Sequence, residues 1–111
     1  MLIEVVILIP RAKLDTIARG VPRRTIRAGM MERAAELFGG GTLSAETVEG
    51  VWKDDDGGTV VDYMVSLTIG VDGFGALALV HAFARELGRD LGEDSMYIRA
   101  LGVSEVVPCG K

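Results

Sequence analysis

The chain opens on the run LIEVVILI from Leu2 to Ile9, β-branched and apolar at nearly every position except Glu4. Apolar residues without alternation are what a central strand covered on both faces requires. Pro10 lacks a backbone donor and closes the strand. A connector runs from Arg11 to Gly20, with one or two helical turns between Lys13 and Arg19. The first main helix is predicted to start near Pro22, and Ile26, Met30, Ala34 and Leu37 recur along it at helical spacing, widened by Phe38. Gly39-Gly40-Gly41 ends it, because glycine takes the left-handed conformation of a C-cap at no steric cost.

Period two takes over next. Thr42 to Lys53 and Thr59 to Val71 read as paired strands joined by Asp54-Asp55-Asp56-Gly57-Gly58, whose composition suits a tight hairpin turn. In the later strand Val61, Tyr63, Val65, Leu67 and Ile69 share one face, and Val60, Asp62, Met64, Ser66 and Thr68 share the other. Asp72 is the expected N-cap of a second helix with the stripe Leu77, Val80, Ala84, Leu87 and Leu91, ended by Gly92. Met96 to Leu101 and Val103 to Val107 follow as strands.

The order is β-α-β-β-α-β with an extra C-terminal strand. That is an α+β, ferredoxin-like arrangement in which two crossovers place both helices on one face of an antiparallel sheet. The other face stays open, and sister copies are expected to cover it. At 111 residues one domain, 1–111, is expected, and the thin aromatic content of 5% adds to the expectation of self-association.

Charge and cysteine content narrow the chemistry. Residues 1–40 carry a net +3 and residues 41–111 a net −7. The acidic total of −4 argues against a nucleic-acid partner, whose binding requires many neutralised phosphates. One cysteine, Cys109, and one histidine, His81, build neither a disulfide nor a metal site, so neither metal nor cofactor is expected. No apolar run is long enough for a membrane span, and the opening run lacks a basic start and a cleavage site. A cytoplasmic location with no membrane partner is therefore expected.

Several segments could carry chemistry. Gly73-Phe74-Gly75-Ala76-Leu77-Ala78 fits a dinucleotide fingerprint, but the next strand shows Arg99 where a ribose-binding acid is needed. Asp54 to Asp56 resembles the start of a calcium loop, yet Gly58 and Val65 fall where further oxygen ligands belong. Arg19, Arg23, Arg24 and Arg27 form the densest basic cluster, and Arg23 and Arg27 lie one helical turn apart, suited to gripping a small anion. Asp62 and Glu4 each place a carboxylate on an otherwise apolar strand, which is costly unless it is paired, solvated or lining a cleft. Trp52 and Tyr63 flank Asp62 and offer a stacking surface beside it. His81 sits beside the buried stripe of the second helix and reads as structural.

In length and element order the chain resembles the PII-type signalling proteins. These are ferredoxin-like homotrimers that bind adenine nucleotides or other small anions in clefts between subunits. A local pattern, Gly50-Val51-Trp52-Lys53, a turn, Asp62 with Val65 to Val71, an apolar helix, then Asp94-Ser95-Met96-Tyr97, is similar to phage enzymes that degrade S-adenosylmethionine. In that trimeric family a glycine, an aromatic and a basic residue precede the turn, a glutamate lies on the next strand, and the ligand sits between subunits. Here Trp52 stands where tyrosine is usual and Asp62 where glutamate is usual, which draws the carboxylate back by about 1.5 Å, one bond length.

The resemblances imply a PII-like homotrimer holding an anionic or adenosyl metabolite at subunit boundaries. Trp52, Tyr63, Arg23, Arg27 and Glu4 would bind it, and Asp62, the catalytic candidate, would accept hydrogen bonds from an amine or ribose. The alternative they imply is a lyase that converts S-adenosylmethionine to methylthioadenosine and homoserine lactone. A structural oligomer without ligand is the third reading.

Overall fold

The computed structural model describes residues 2–18 and 24–110. Along the chain come β1 (Leu2–Pro10), α1 (Arg11–Leu14), α2 (Ile26–Phe38), β2 (Thr42–Leu43), β3 (Val48–Lys53), β4 (Thr59–Asp72), α3 (Leu77–Leu91), β5 (Ser95–Ala100) and β6 (Val103–Pro108). A single 3-10 turn, Phe74–Ala76, leads into α3. All six strands join one antiparallel sheet in the order β2-β4-β1-β5-β6, with β3 also on the outer edge of β4. The fold is α+β and ferredoxin-like with an added C-terminal edge strand.

Alternation along β1 sorts the two faces. Ile3, Val5, Ile7 and Ile9 are buried under the helices, while Leu2 and Glu4 are exposed on the open face and Val6 and Leu8 are half-buried there. The ladder carries this parity outward, since Ile3 pairs with Val71, Ile7 with Leu67 and with Ile98, and Met96 with Val107. The core is therefore one layer between sheet and helices, filled from below by Leu67, Ile69 and Ile98 and from above by Met30, Ala34, Val80, Phe83, Ala84 and Leu87. Phe38 of α2 meets Phe83 of α3 edge to face, at 5.5 Å between centroids, which fastens the helices together.

Three local expectations change. The strand expected from Thr42 to Lys53 divides in two, because Ser44 interrupts it. The Ser44 amide donates to Ser66 O (2.9 Å) and its hydroxyl accepts from the Ser66 amide (2.9 Å). That exchange replaces a regular ladder rung with a side-chain contact and leaves β2 and β3 as separate pieces. The cap of α2 is Thr25, whose hydroxyl accepts from the Ala28 amide at 3.1 Å; Pro22 lies outside the described residues. Asp72 ends β4 and does not cap α3, because Gly73 (φ 85°) and the 3-10 turn intervene and Ala76 occupies the cap position. The acidic run is a turn. The Asp54 carboxylate accepts from the amides of Asp56 (3.0 Å) and Gly58 (2.8 Å), while Gly57 takes φ 82°.

The C-terminal strand is tied to α3 by polar contacts. Arg89 Nε donates to Cys109 O (2.8 Å), and His81 bridges Leu77 O (2.7 Å) and the Glu105 carboxylate (3.2 Å). Both ring nitrogens of His81 thus face acceptors, which only the imidazolium satisfies. The Leu77 carbonyl first and Glu105 second raise its pKa above the ordinary value, against burial and Arg85. A raised folded-state pKa stabilises fully below the unfolded value and is lost as pH climbs through the folded one. The urea midpoint should therefore fall from about pH 6 to about pH 9 more steeply than in His81→Gln; equal slopes would contradict this contact.

Gly88 exists for space, not backbone freedom. A Cβ there would lie 2.2 Å from Cys109 Sγ and 2.9 Å from Met96 Cγ. Gly88→Ala should cost about 1–3 kcal/mol in urea unfolding through overpacking, and a Cys109→Ala background should reduce that loss.

Candidate functional site

The site arises from unequal strand lengths. β1 pairs with β4 from Leu2 opposite Asp72 to Pro10 opposite Met64, and there it ends. β4 continues through Tyr63 to Thr59 with only β3 beside it. Freed of a neighbour on one edge, this hairpin follows its own twist and curls over the open face. The curl is measurable. In register Trp52 stands opposite Val60, and Tyr97 opposite Leu8, which itself stands opposite Ser66. In a flat sheet the offset from Val60 to Ser66 along β4 and the three strand spacings, about 20 Å and about 14 Å, would part the two residues by more than their side chains span, yet their rings are 6.4 Å apart between centroids, tilted by 49°.

Beneath the hairpin lies a cleft of about 400 Å³, within the range of small-ligand sites. Leu8, Pro10 and Met64 form its floor, Trp52, Lys53 and Val60 hang from the hairpin, and Tyr97 and Val106 rise from β5 and β6. Asp62, Glu93 and Asp94 bring carboxylates to it and Lys53 a single ammonium, so its charged groups are mainly acidic. Glu93 already receives Lys13 Nζ at 2.8 Å. The half-buried Asp62 side chain has no hydrogen bond or ion pair among the described residues, and its cross-strand neighbour is Gly50. The arrangement suits a ligand with a flat apolar part and a cationic part.

The structure brings Asp62 and Trp52 into this cleft together. Tyr63 points to the reverse side of the hairpin, 60% exposed, over a second basin shared with Arg11, Lys13 and Thr47, which Asp62 and Glu93 also line. Glu4 stands on the open face at the far end of β1, beside the Gly39–Thr42 loop. Arg27 is on α2, on the covered side of the sheet, where its guanidinium donates to Asp15 at 2.9 and 3.3 Å. That contact holds the Asp15 carboxyl below its ordinary range. Arg23 lies outside the described residues.

Leu8 and Met64 are cleft residues that the sequence did not mark as a site, and Tyr97 entered only as the end of the Asp94–Tyr97 stretch in the lyase resemblance, with no role assigned. Tyr97 carried a faint signal as a residue of the open-face parity of its strand, opposite Leu8. What no periodicity reveals is that the hairpin bends toward it.

No protein-family model matches the chain, and no curated protein matches it in sequence. Among solved structures, a phage S-adenosylmethionine lyase in complex with S-methyl-5'-thioadenosine shares the fold at a TM-score of 0.67 and 15% identity, over 96% of this chain and 89% of that one. A phage S-adenosylmethionine lyase in its apo state does so at 0.60 and 16% identity, over 98% and 90%. At this identity the likeness is one of fold. It supports a fold like that of these lyases and does not bear on PII-type proteins specifically.

Proposed function

We propose that the chain is an S-adenosylmethionine lyase working in the cleft under the β3–β4 hairpin. The observation that carries this reading is the meeting of Trp52, Tyr97 and Asp62 in one acidic, apolar-floored cleft. The likeness in fold to a lyase described with methylthioadenosine bound supports it.

The chemistry asks little of the protein. A carboxylate oxygen of the substrate attacks its own γ carbon, the bond from that carbon to sulfur breaks, and the electron pair stays on sulfur. The sulfonium becomes the neutral thioether of methylthioadenosine, and homoserine lactone forms. No proton moves, so neither a general acid nor a general base is needed. Two opposite charges vanish as the transition state forms, so removal of water by Leu8, Met64, Val60 and Val106 favours it over the solvated ground state. Holding the chain folded supplies the remaining advantage. Trp52 stacks on the adenine and Asp62 accepts from the substrate ammonium or ribose.

The cleft is open at its side, and exposed Leu2, Val48 and Val106 lie on the same sheet face. A sister subunit in a homotrimer would close it and exclude water. Arg23 and Arg27 remain candidates for an anion contact across such a boundary.

Incubation with S-adenosylmethionine, followed by chromatography, should yield methylthioadenosine and homoserine lactone. Asp62→Asn should lower kcat/KM by about 10- to 100-fold, the worth of a charge-assisted hydrogen bond. Saturable binding without product would leave the PII-like alternative, a binding module; absence of both would contradict an adenosyl site.

A further inference from the structure

Beyond the assignment of a cleft, and resting on its adenosyl reading, we propose that Trp52 and Tyr97 are two jaws of a slot for a flat heteroaromatic ring. Gly50 is the positioning residue that holds the upper jaw. Residues 50 and 52 lie on one face of β3, two apart. A Cβ at position 50 would fall 3.0 Å from Trp52 Cζ2 and 3.2 Å from both Cε2 and Nε1. The indole therefore lies flat on the Gly50 backbone.

Backbone conformation does not demand glycine there, because Gly50 is not among the residues of positive φ. A glycine inside a strand weakens it and marks a close approach, and here the approaching group is the indole. The same absence of a side chain lets the indole take the space beside Asp62, the register partner of Gly50, which is half-buried. One glycine thus sets the ring next to the carboxylate.

The two rings lie against each other, 6.4 Å apart between centroids and tilted by 49°, a separation at which aromatic rings pair directly. A ring held between two parallel others needs about 7 Å between their planes, twice a van der Waals contact of about 3.5 Å. A purine therefore enters when the two rings turn toward parallel and part. Tyr97 is anchored on β5 between Leu8 and Val106 in the ladder, so the moving jaw is Trp52 on the hairpin.

Trp52 is the chain's one tryptophan, so its emission reports this jaw alone. The probe is S-methyl-5'-thioadenosine titrated into the intact protein. Wild type should show saturable quenching. Gly50→Val fills the bed of the indole with a residue that favours strands, so circular dichroism should be unchanged while the emission maximum shifts and Kd rises roughly ten-fold, the loss of one stacking partner. Tyr97→Leu should raise Kd by a similar factor, and Gly50→Ala should fall between wild type and Gly50→Val.

Quenching in wild type that survives unchanged in folded Gly50→Val and Tyr97→Leu would overturn the slot, as would no quenching at all. The outcomes separate from those of the lyase assay. Product formation with unaltered quenching in the variants overturns the slot and leaves the lyase standing. Variant-sensitive quenching without product supports the slot and removes the lyase.

Discussion

Everything proposed for this molecule depends on one mismatch of length: β4 runs for 14 residues beside a β1 of nine. Pro10 has no amide hydrogen to extend the ladder, so β1 stops opposite Met64 and the last turns of the β3–β4 hairpin lose a neighbour. A two-stranded ribbon twists more than a broad sheet. The excess twist carries Trp52 across the open face to Tyr97 and makes a concave site from a surface that would otherwise be flat.

The covered face supplies the rigidity against which that curl works. Strict alternation in β1 and in the inner half of β4 buries Ile3, Val5, Ile7 and Ile9 and Val65, Leu67, Ile69 and Val71 under α2 and α3, and among the described residues none of the buried ones is polar. The loop after α3 enters the cleft through Glu93 and Asp94, and its geometry is set by the left-handed cap at Gly92 and by the Lys13–Glu93 ion pair. Packing on one side of the sheet thereby places charge on the other.

Much of the architecture was legible because it is written in local periods. Strand parity around Val65 to Ile69, the helical stripe from Val80 to Leu91, and the caps at Gly39 and Gly92 follow from side-chain spacing and glycine geometry alone. Ser44 was not legible, since only its pairing with Ser66 reveals that it breaks a strand. For the site, Asp62 stood out because a carboxylate interrupts an apolar strand, and Trp52 followed from the hairpin register. Tyr63 looked equivalent to Trp52 in sequence, but adjacent strand residues face opposite ways, so Tyr63 falls in the basin behind the hairpin and Trp52 in the cleft beneath it, with Asp62 lining both. Tyr97 lies some 45 residues further on, and the contact it makes comes from twist, which leaves no periodic trace.

A reaction that moves no proton would ask the cleft for neither a nucleophile nor a base, with shape and dryness as the working parts. The shape is the part to measure first. Nuclear Overhauser contacts between the indole protons of Trp52 and the ring protons of Tyr97, recorded on the unliganded protein in solution, report the curl directly. Cross-peaks between the two rings are the predicted result. Their absence, with the β1–β4 and β1–β5 ladder contacts intact, would mean that the hairpin stands away from the sheet and that the cleft does not exist.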